Sequence, residues 1–226
     1  MTKHIRAIIF DFDGTIIDSE SPEFETWRET FLQHGQNLSV ETWSRYIGTH
    51  GQFDVYAHFE QLTGQRIDRD EMRERIYSKA HAAIRAQPLL PGVLETIHAA
   101  RRLGLKLAVA STSSCAWVEG HLERLGLTQY FPVIRCREWV QRVKPEPDLY
   151  LAALEALGVQ PAEAIALEDS PNGVLAANRA GVFSVAIPNV LTMHYDLSHA
   201  NLIINSLVDQ SLEELIAAVE RRRAVN

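Results

Sequence analysis

Positive charge, cysteine and long apolar runs are all scarce in this sequence, and each scarcity closes off a class of function. Against 29 acidic residues stand 22 lysines and arginines, a formal charge of −7. A protein that grips nucleic acid by neutralising phosphates carries the opposite sign, so no nucleic-acid partner is expected. A small basic pocket for a small anion stays allowed, because net charge says little about one site. The two cysteines, Cys115 and Cys136, form neither a C-x-x-C pair nor a zinc spacing. Two reduced residues, in the core or at the surface, are the expectation, and the sequence alone leaves a single disulfide open. No apolar run approaches the roughly 20 residues of a membrane span. The basic start, Met1–Arg6, gives way to a short apolar stretch and then to Asp11 and Asp13, which does not read as a signal peptide. A cytoplasmic protein with no membrane partner is expected. The nine histidines are scattered, with no H-x-x-x-H pair and no H-E-x-x-H helix.

What is present is an ordinary folding composition: 226 residues, 46% hydrophobic and 23% charged. That length suits one large domain, or a core with a smaller insert. Residues 5–10, Ile-Arg-Ala-Ile-Ile-Phe, read as a buried strand ending in acids and a glycine. The stretch 17–87 is helical in character. Ser21-Pro22 looks like an N-cap with proline at the first helical position, and Phe24, Trp27 and Phe31 recur at helical spacing. Ser39 opens a second helix, Phe53, Tyr56 and Phe59 mark a third, and Ile76 with Ile84 lies on a fourth. From residue 88 helices and strands alternate, with strands expected at 106–111, 133–136, 164–167, 184–187 and 202–204 and a last helix at 211–223. That alternation implies a parallel sheet covered on both faces. The expected organisation is an α/β core built from residues 1–16 and 88–226, with an all-helical insert at 17–87.

Ligands of such sheets sit beyond the carboxyl ends of the strands. The first expected strand ends in Asp11-Phe12-Asp13-Gly14-Thr15, the second in Ser111-Thr112, and a later one in Glu168-Asp169; Lys144 stands just before the helix that Pro147 starts. In extended chain Asp11 and Asp13 project to one side, and Gly14 lets the chain turn sharply away. Carboxylates converging at Asp11, Asp13, Glu168 and Asp169 would repel one another. A hard cation resolves this, and magnesium suits a few carboxylate oxygens completed by waters and substrate phosphate. Ser111, Thr112 and Lys144 suit the remaining phosphate oxygens, by hydroxyl donation and positive charge.

Asp11-Phe12-Asp13-Gly14-Thr15, Ser111, Lys144-Pro145 and Glu168-Asp169-Ser170 resemble, in order and spacing, the four motifs of the haloacid dehalogenase superfamily. The resemblance covers nearly the whole chain. It implies a Rossmann-like, doubly wound parallel sheet with an inserted four-helix cap, as in the subfamily of β-phosphoglucomutase and small phosphatases. The second aspartate, Asp13, is what the resemblance associates with phosphate chemistry. By the same resemblance Asp11 is the nucleophile that forms an aspartyl-phosphate, and Asp13 the general acid and base. Magnesium is held by Asp11, the Asp13 backbone carbonyl and Asp169, with Glu168 binding it directly or through water. Ser111 and Lys144 hold the phosphoryl oxygens, and Thr112 is a weaker candidate for the same task. The activity implied is a magnesium-dependent phosphatase acting on a small phosphorylated metabolite, a sugar phosphate or nucleoside-like monophosphate; the sequence does not spell an oligomeric state, and a monomer is the default expectation.

Blander roles compete at every position. Asp11 and Asp13 could be turn residues, Ser111 a helix cap, Lys144 a solvated loop lysine, and Glu168 and Asp169 favourable charges at a helix N-terminus. Ser170 reads as a plain cap, and Asp18 as a hinge or turn residue. Specificity is expected from Gly48–Phe53, where His50 could meet substrate, and from Asp18–Glu25. Trp27, Phe31, Trp43, Tyr56 and Phe59 read as packing for the helical insert. Arg221-Arg222-Arg223 lies where cations favour a helix C-terminus and needs no nucleic acid to explain it. Two alternatives stand beside the phosphatase: a phosphomutase of the β-phosphoglucomutase kind, and a binding module that kept the fold and lost activity. Mutase-like sequences carry an arginine where this chain has Gly51 and a histidine where it has Glu23, and both departures favour hydrolysis.

Overall fold

The computed structural model describes residues 4–44 and 54–225. Residues 48–53, His50 and Gly51 included, lie outside the described residues. The chain runs through β1 (Ala7–Phe10), α1 (Glu20–Gln33), α2 (Val40–Ser44), α3 (Val55–Thr63), α4 (Arg69–Arg85), α5 (Val93–Arg102), β2 (Lys106–Ala110), α6 (Cys115–Arg124) and β3 (Val133–Arg135). It continues through α7 (Asp148–Leu157), β4 (Ala164–Glu168), α8 (Pro171–Arg179), β5 (Phe183–Ala186), β6 (Leu202–Ile203) and α9 (Leu212–Val225).

The strands form one sheet in the order β3-β2-β1-β4-β5-β6, every pairing parallel. A parallel sheet buried on both faces needs near-continuous apolar strands, and β1 (AIIF), β2 (KLAVA) and β4 (AIALE) supply them. Alternation assigns the faces. Ile8 and Phe10 join the cluster that Ile97 of α5, Val118 and Leu122 of α6 and Leu215 of α9 complete. Ala7 and Ile9 face Leu149, Tyr150 and Ala153 of α7 and Ala176 of α8. Every one of these strand residues is fully buried, so a one-residue slip would exchange the isoleucine–phenylalanine face for the one built around alanines. The chain leaves β1 towards β2 and β3, then crosses back to β4 on the other side. The carboxyl ends of β1 and β4 therefore flank the point where strand order reverses, which sets Asp11 beside Glu168.

Between β1 and β2, α1 to α4 pack on their own apolar cluster of Trp27, Phe31, Trp43, Val55, Phe59 and Ile76, which Leu191 of the α/β part also joins. The edge-on pairs Phe31–Phe59 and Trp27–Tyr56, with ring centroids 5.1 and 5.0 Å apart, knit it together. The two connections to the core run side by side: Ile17 bridges to Leu89, and the Leu90 N–H donates to the Ile16 carbonyl at 2.9 Å.

One expected cap is placed differently. α1 begins at Glu20, ahead of Ser21, and the Asp18 carboxylate accepts the Ser21 N–H at 2.9 Å. Asp18 supplies the oxygen that Ser21 was expected to provide, because the Ser19 hydroxyl is directed to Asp13 instead. The Ser39 hydroxyl does take the Thr42 N–H, at 3.1 Å. Of the terminal basic run, Arg222 and Arg223 donate to the carbonyls of Asn201 and Ala162, each at 2.6 Å. No helix among the described residues is long and apolar enough to cross a membrane.

Candidate active site

Lys144 is the centre of the site. It is 5% exposed and lies between β3 and α7, and its Nζ donates to Asp11 Oδ1 and, at 2.6 Å, to Glu168 Oε1. The carboxylates of Asp11, Glu168 and Asp169 offer oxygens within 4.8 Å of one another, all buried. One lysine cannot balance three acids at that spacing. Burial first, then Glu168 and Asp13, push the Asp11 carboxyl up to about 8 against the pull of Lys144. Asp169 is held well above the carboxylate range by burial and by Glu20, Asp11 and Glu168. Burial works against the charge on Lys144, but Asp11 and Glu168 outweigh it and raise its pKa. A divalent cation among these oxygens would supply the missing positive charge, so the donor set fits magnesium.

Glu168 is already engaged by the protein. Besides Lys144, its Oε1 accepts the Tyr150 hydroxyl at 2.5 Å, and its Oε2 accepts Ser170 Oγ at 3.3 Å. Ser170 also caps α8, taking the Gly173 N–H at 3.1 Å. A Cβ on Gly173 would sit 1.8 Å from Glu168 Oε2, so any side chain there would have to displace the carboxylate that Lys144 and Tyr150 hold. Gly14 is constrained twice over: its φ is +80°, and a Cβ would lie 2.1 Å from Asp169 Oδ2. Asn189 donates to that same Asp169 oxygen at 2.8 Å.

Asp13 points away from this cluster. Its Oδ1 accepts from Ser19 Oγ at 2.7 Å and from the Trp117 indole N–H at 3.0 Å, and its Oδ2 from Ser113 Oγ at 2.5 Å. It borders a cleft of about 690 Å³ between the α/β core and the helical insert. Ser111 lies just beyond β2, almost fully buried, and its Oγ accepts the Ser113 N–H at 3.0 Å, leaving its own O–H to donate elsewhere. Thr112 lines the cleft. The expected residues thus fall into two groups, Asp11, Lys144, Glu168 and Asp169 in the buried cluster and Asp13 with Thr112 along the cleft, while Ser111 is buried just beyond β2 and does not line the cleft.

The cleft holds residues that the sequence pattern did not single out. Trp27 and Tyr56, read as packing, also line it, together with Tyr77, His81 and Trp117. The His81 ring of α4 packs tilted against Trp117 of α6 with centroids 4.5 Å apart, a contact that crosses from insert to core. Two acids, Glu20 and Glu23, line it as well. Burial and then Asp13 raise both carboxyls, Glu20 to about 8. Glu20 Oε2 is buried without a hydrogen-bond partner.

A family profile described as haloacid dehalogenase-like hydrolase matches residues 8–187, a span that includes every residue of the cluster. The chain belongs to the haloacid dehalogenase-like hydrolase family. Within it, the chain is 39% identical to the candidate phosphatase YhcW of Bacillus subtilis, over 94% of this chain and 96% of that one. It is 30% identical to the validoxylamine A 7'-phosphate phosphatase of Streptomyces hygroscopicus subsp. limoneus, over 90% and 95% of the two chains. The crystal structure of CbbY from Rhodobacter sphaeroides in complex with phosphate superposes with a TM-score of 0.72 at 32% identity, covering 93% of this chain and 99% of that one. The protein is a hydrolase of the phosphatase branch of this family, and the six-stranded order β3-β2-β1-β4-β5-β6 is the family's Rossmann-like sheet.

Tyr150, Trp117, Ser19 and Asn189 are the site residues that sequence reasoning missed. Tyr150 had a readable signal: a tyrosine on the apolar face of a helix must find a partner for its hydroxyl, and α7 begins four residues after Lys144.

Proposed function

We propose that the protein is a magnesium-dependent phosphatase of a small sugar phosphate, working through an aspartyl-phosphate on Asp11. The observation that carries this reading is the buried Lys144 joining Asp11 to Glu168, with Asp169 alongside, two residues along the chain from Asp13, which borders the cleft. Asp11 attacks phosphorus, and the departing ester oxygen takes a proton from Asp13. Asp13 then accepts a proton from the water that attacks the aspartyl-phosphate, and Asp11 is regenerated. Lys144 restrains the Asp11 carboxylate and holds a phosphoryl oxygen, with the Ser111 and Thr112 hydroxyls donating to others. Magnesium, held by Asp11, Asp169 and the Asp13 carbonyl, with Glu168 acting directly or through water, would offset the charge between nucleophile and phosphate. The engagement of both Glu168 oxygens by Lys144, Tyr150 and Ser170 favours the water-mediated form for Glu168.

Residues 17–87 act as the cap, closing on the bound ester and excluding water from the aspartyl-phosphate. A cleft walled by Trp27, Tyr56, Tyr77 and Trp117 and carrying Glu20 and Glu23 offers ring faces and hydroxyl acceptors together, which suits a polyol better than a nucleobase. The small phosphate ester in the name of the validoxylamine A 7'-phosphate phosphatase accords with a small phosphorylated metabolite as substrate. Glu23 lines the cleft where mutase-like sequences carry a histidine, and that departure favours hydrolysis; the positive charge of the lining comes from Arg73 and Arg137.

The test is phosphate release from a panel of sugar phosphates and nucleoside monophosphates, with magnesium and with chelator. Magnesium-dependent release, fastest from sugar phosphates, is expected. Release that ignores the chelator would remove the metal from the mechanism. Efficient interconversion of glucose 1-phosphate and glucose 6-phosphate with a bisphosphate primer would make the protein a mutase.

A further inference from the structure

A second group of ligating side chains lies outside this site. Cys115 is the first residue of α6, Cys136 follows β3, and Glu138 sits in the single turn Arg137–Trp139. One ligand atom from each, two sulfurs and a carboxylate oxygen, falls within 4.8 Å of the others. Both thiols are free. We propose that these three residues form a metal site for a thiophilic divalent cation of the zinc class, separate from the magnesium site in place and in chemistry.

Geometry supports the assignment. A tetrahedral zinc with Zn–S bonds of about 2.3 Å places two sulfurs about 3.8 Å apart, so the group needs only a small contraction to close. Its frame is already fixed. The Cys115 N–H donates to Glu138 Oε2 at 3.0 Å, the Arg137 N–H to the Ser113 carbonyl at 3.2 Å, and the Trp139 N–H to the Cys136 carbonyl at 2.9 Å. Little chain has to be ordered when the ion binds. The layout also gives access: Cys136 is fully buried, Cys115 half-buried and Glu138 exposed, so the ion enters past the carboxylate and keeps a solvent position for its fourth ligand.

The donor types select the ion. Two thiolates and one carboxylate suit zinc-class cations, whereas Asp11, Glu168 and Asp169 offer oxygen alone and suit magnesium. Binding releases one proton from each thiol to solvent, and no electron moves. The two thiolates then lie against the start of α6, whose exposed N–H groups favour negative charge. Without an ion, burial and the neighbouring Cys115 push the Cys136 thiol up, and a bound cation reverses that. Occupancy would tie the end of β3 to the start of α6, next to Ser113 and Trp117, the two residues of this segment that hold Asp13.

The experiment titrates the reduced protein with cobalt(II) in saturating magnesium, which blocks the oxygen site, and follows the thiolate-to-cobalt charge-transfer band in the near ultraviolet. One equivalent should develop the band, and zinc should abolish it by displacing the cobalt. Cys115→Ser and Cys136→Ser should each lose it, and Glu138→Gln should keep it with affinity weaker by about tenfold or more. Stoichiometric zinc should also protect both thiols of the unmodified chain from alkylation, a readout that needs no variant to fold. A reduced protein that develops no band and gains no protection has no such site. A band that survives in both serine variants overturns the assignment of these residues.

Discussion

Replacing Asp11 by asparagine should abolish turnover and, in the absence of metal, make the protein more stable. The first half follows from the loss of the attacking carboxylate: several orders of magnitude in kcat, with the fold intact. The second follows from the crowding of the site. The Asp11 carboxyl rises from 3.8 to about 8, chiefly through burial. A folded-state pKa above the unfolded one means that the folded state binds the extra proton between those two values. Stability therefore falls as pH climbs from about 4 through 8, and the full penalty is present above the folded pKa. At about 1.4 kcal/mol per pH unit, the stretch from 3.8 to neutrality costs about 4 kcal/mol at pH 7. Asparagine keeps the shape of the protonated carboxyl and so escapes most of that cost, the pull of Lys144 being already contained in the shifted value. The expected result is a gain of about 1 kcal/mol or more, several degrees in melting temperature for a chain of this length. Thermal and urea unfolding in chelator, at intervals between pH 4 and 8, would measure it. The Asp11→Asn protein should show the shallower pH slope, and magnesium should narrow the gap by stabilising the wild type more. A variant less stable than the wild type by 1 kcal/mol or more in chelator at pH 7 would refute the reasoning, because the carboxylate would then be a net source of stability.

Three further outcomes follow from the same geometry. Asp169→Asn should weaken magnesium binding, read by calorimetric titration, far more than it lowers the melting temperature; unchanged affinity and activity together would return Asp169 to the role of a structural residue. Tyr150→Phe removes one donor from the buried Glu168 and should cost about 1.5–3 kcal/mol in urea unfolding, with Lys144 and Ser170 still in place. Trp117→Phe keeps the ring against His81 and deletes only the N–H on Asp13. It should lower kcat by about tenfold or more with little change in KM, and an equal rise in KM would mean that the indole serves substrate binding instead.

The fold and the buried half of the site were legible in the sequence for one physical reason. A parallel sheet demands apolar strands, and the polar residues that interrupt such strands stand at their carboxyl ends. Asp11, Ser111 and Glu168-Asp169 are therefore conspicuous, and the reversal of strand order at β1 and β4 brings two of these groups together. Boundaries were less legible where one side chain had two uses. Ser170 was read as a cap, which it is, and it also reaches Glu168. Ser19 stands at the N-cap position of α1 but spends its hydroxyl on Asp13, so Asp18 supplies the capping oxygen. Trp117 and Tyr150 sit on amphipathic helices at positions that periodicity assigns to the core, and their rings do pack there. Nothing in a periodic pattern tells which end of an aromatic side chain carries the useful hydrogen.

The same limit explains why chemistry was easier to read than specificity. A phosphoryl-transfer centre needs particular charges at fixed strand ends, and few sequences supply them by accident. A substrate cleft needs only a wall of rings and a few acceptors, and helices of any packed insert present both. Trp27 and Tyr56 belong at once to the insert's own core and to the cleft, so selection on packing and selection on substrate act on the same atoms. Glu20 and Glu23 are the exception. Packing gains little from two half-buried acids whose carboxyls are raised by burial and by Asp13, one of them with an oxygen left unpartnered. Glu20 bonds Asn189, and its unpartnered Oε2 would accept a hydroxyl from a ligand in the cleft it lines. Under the proposed function, the residues that set the choice of substrate are therefore to be sought on the first turn of α1, beside Asp11 and Asp13.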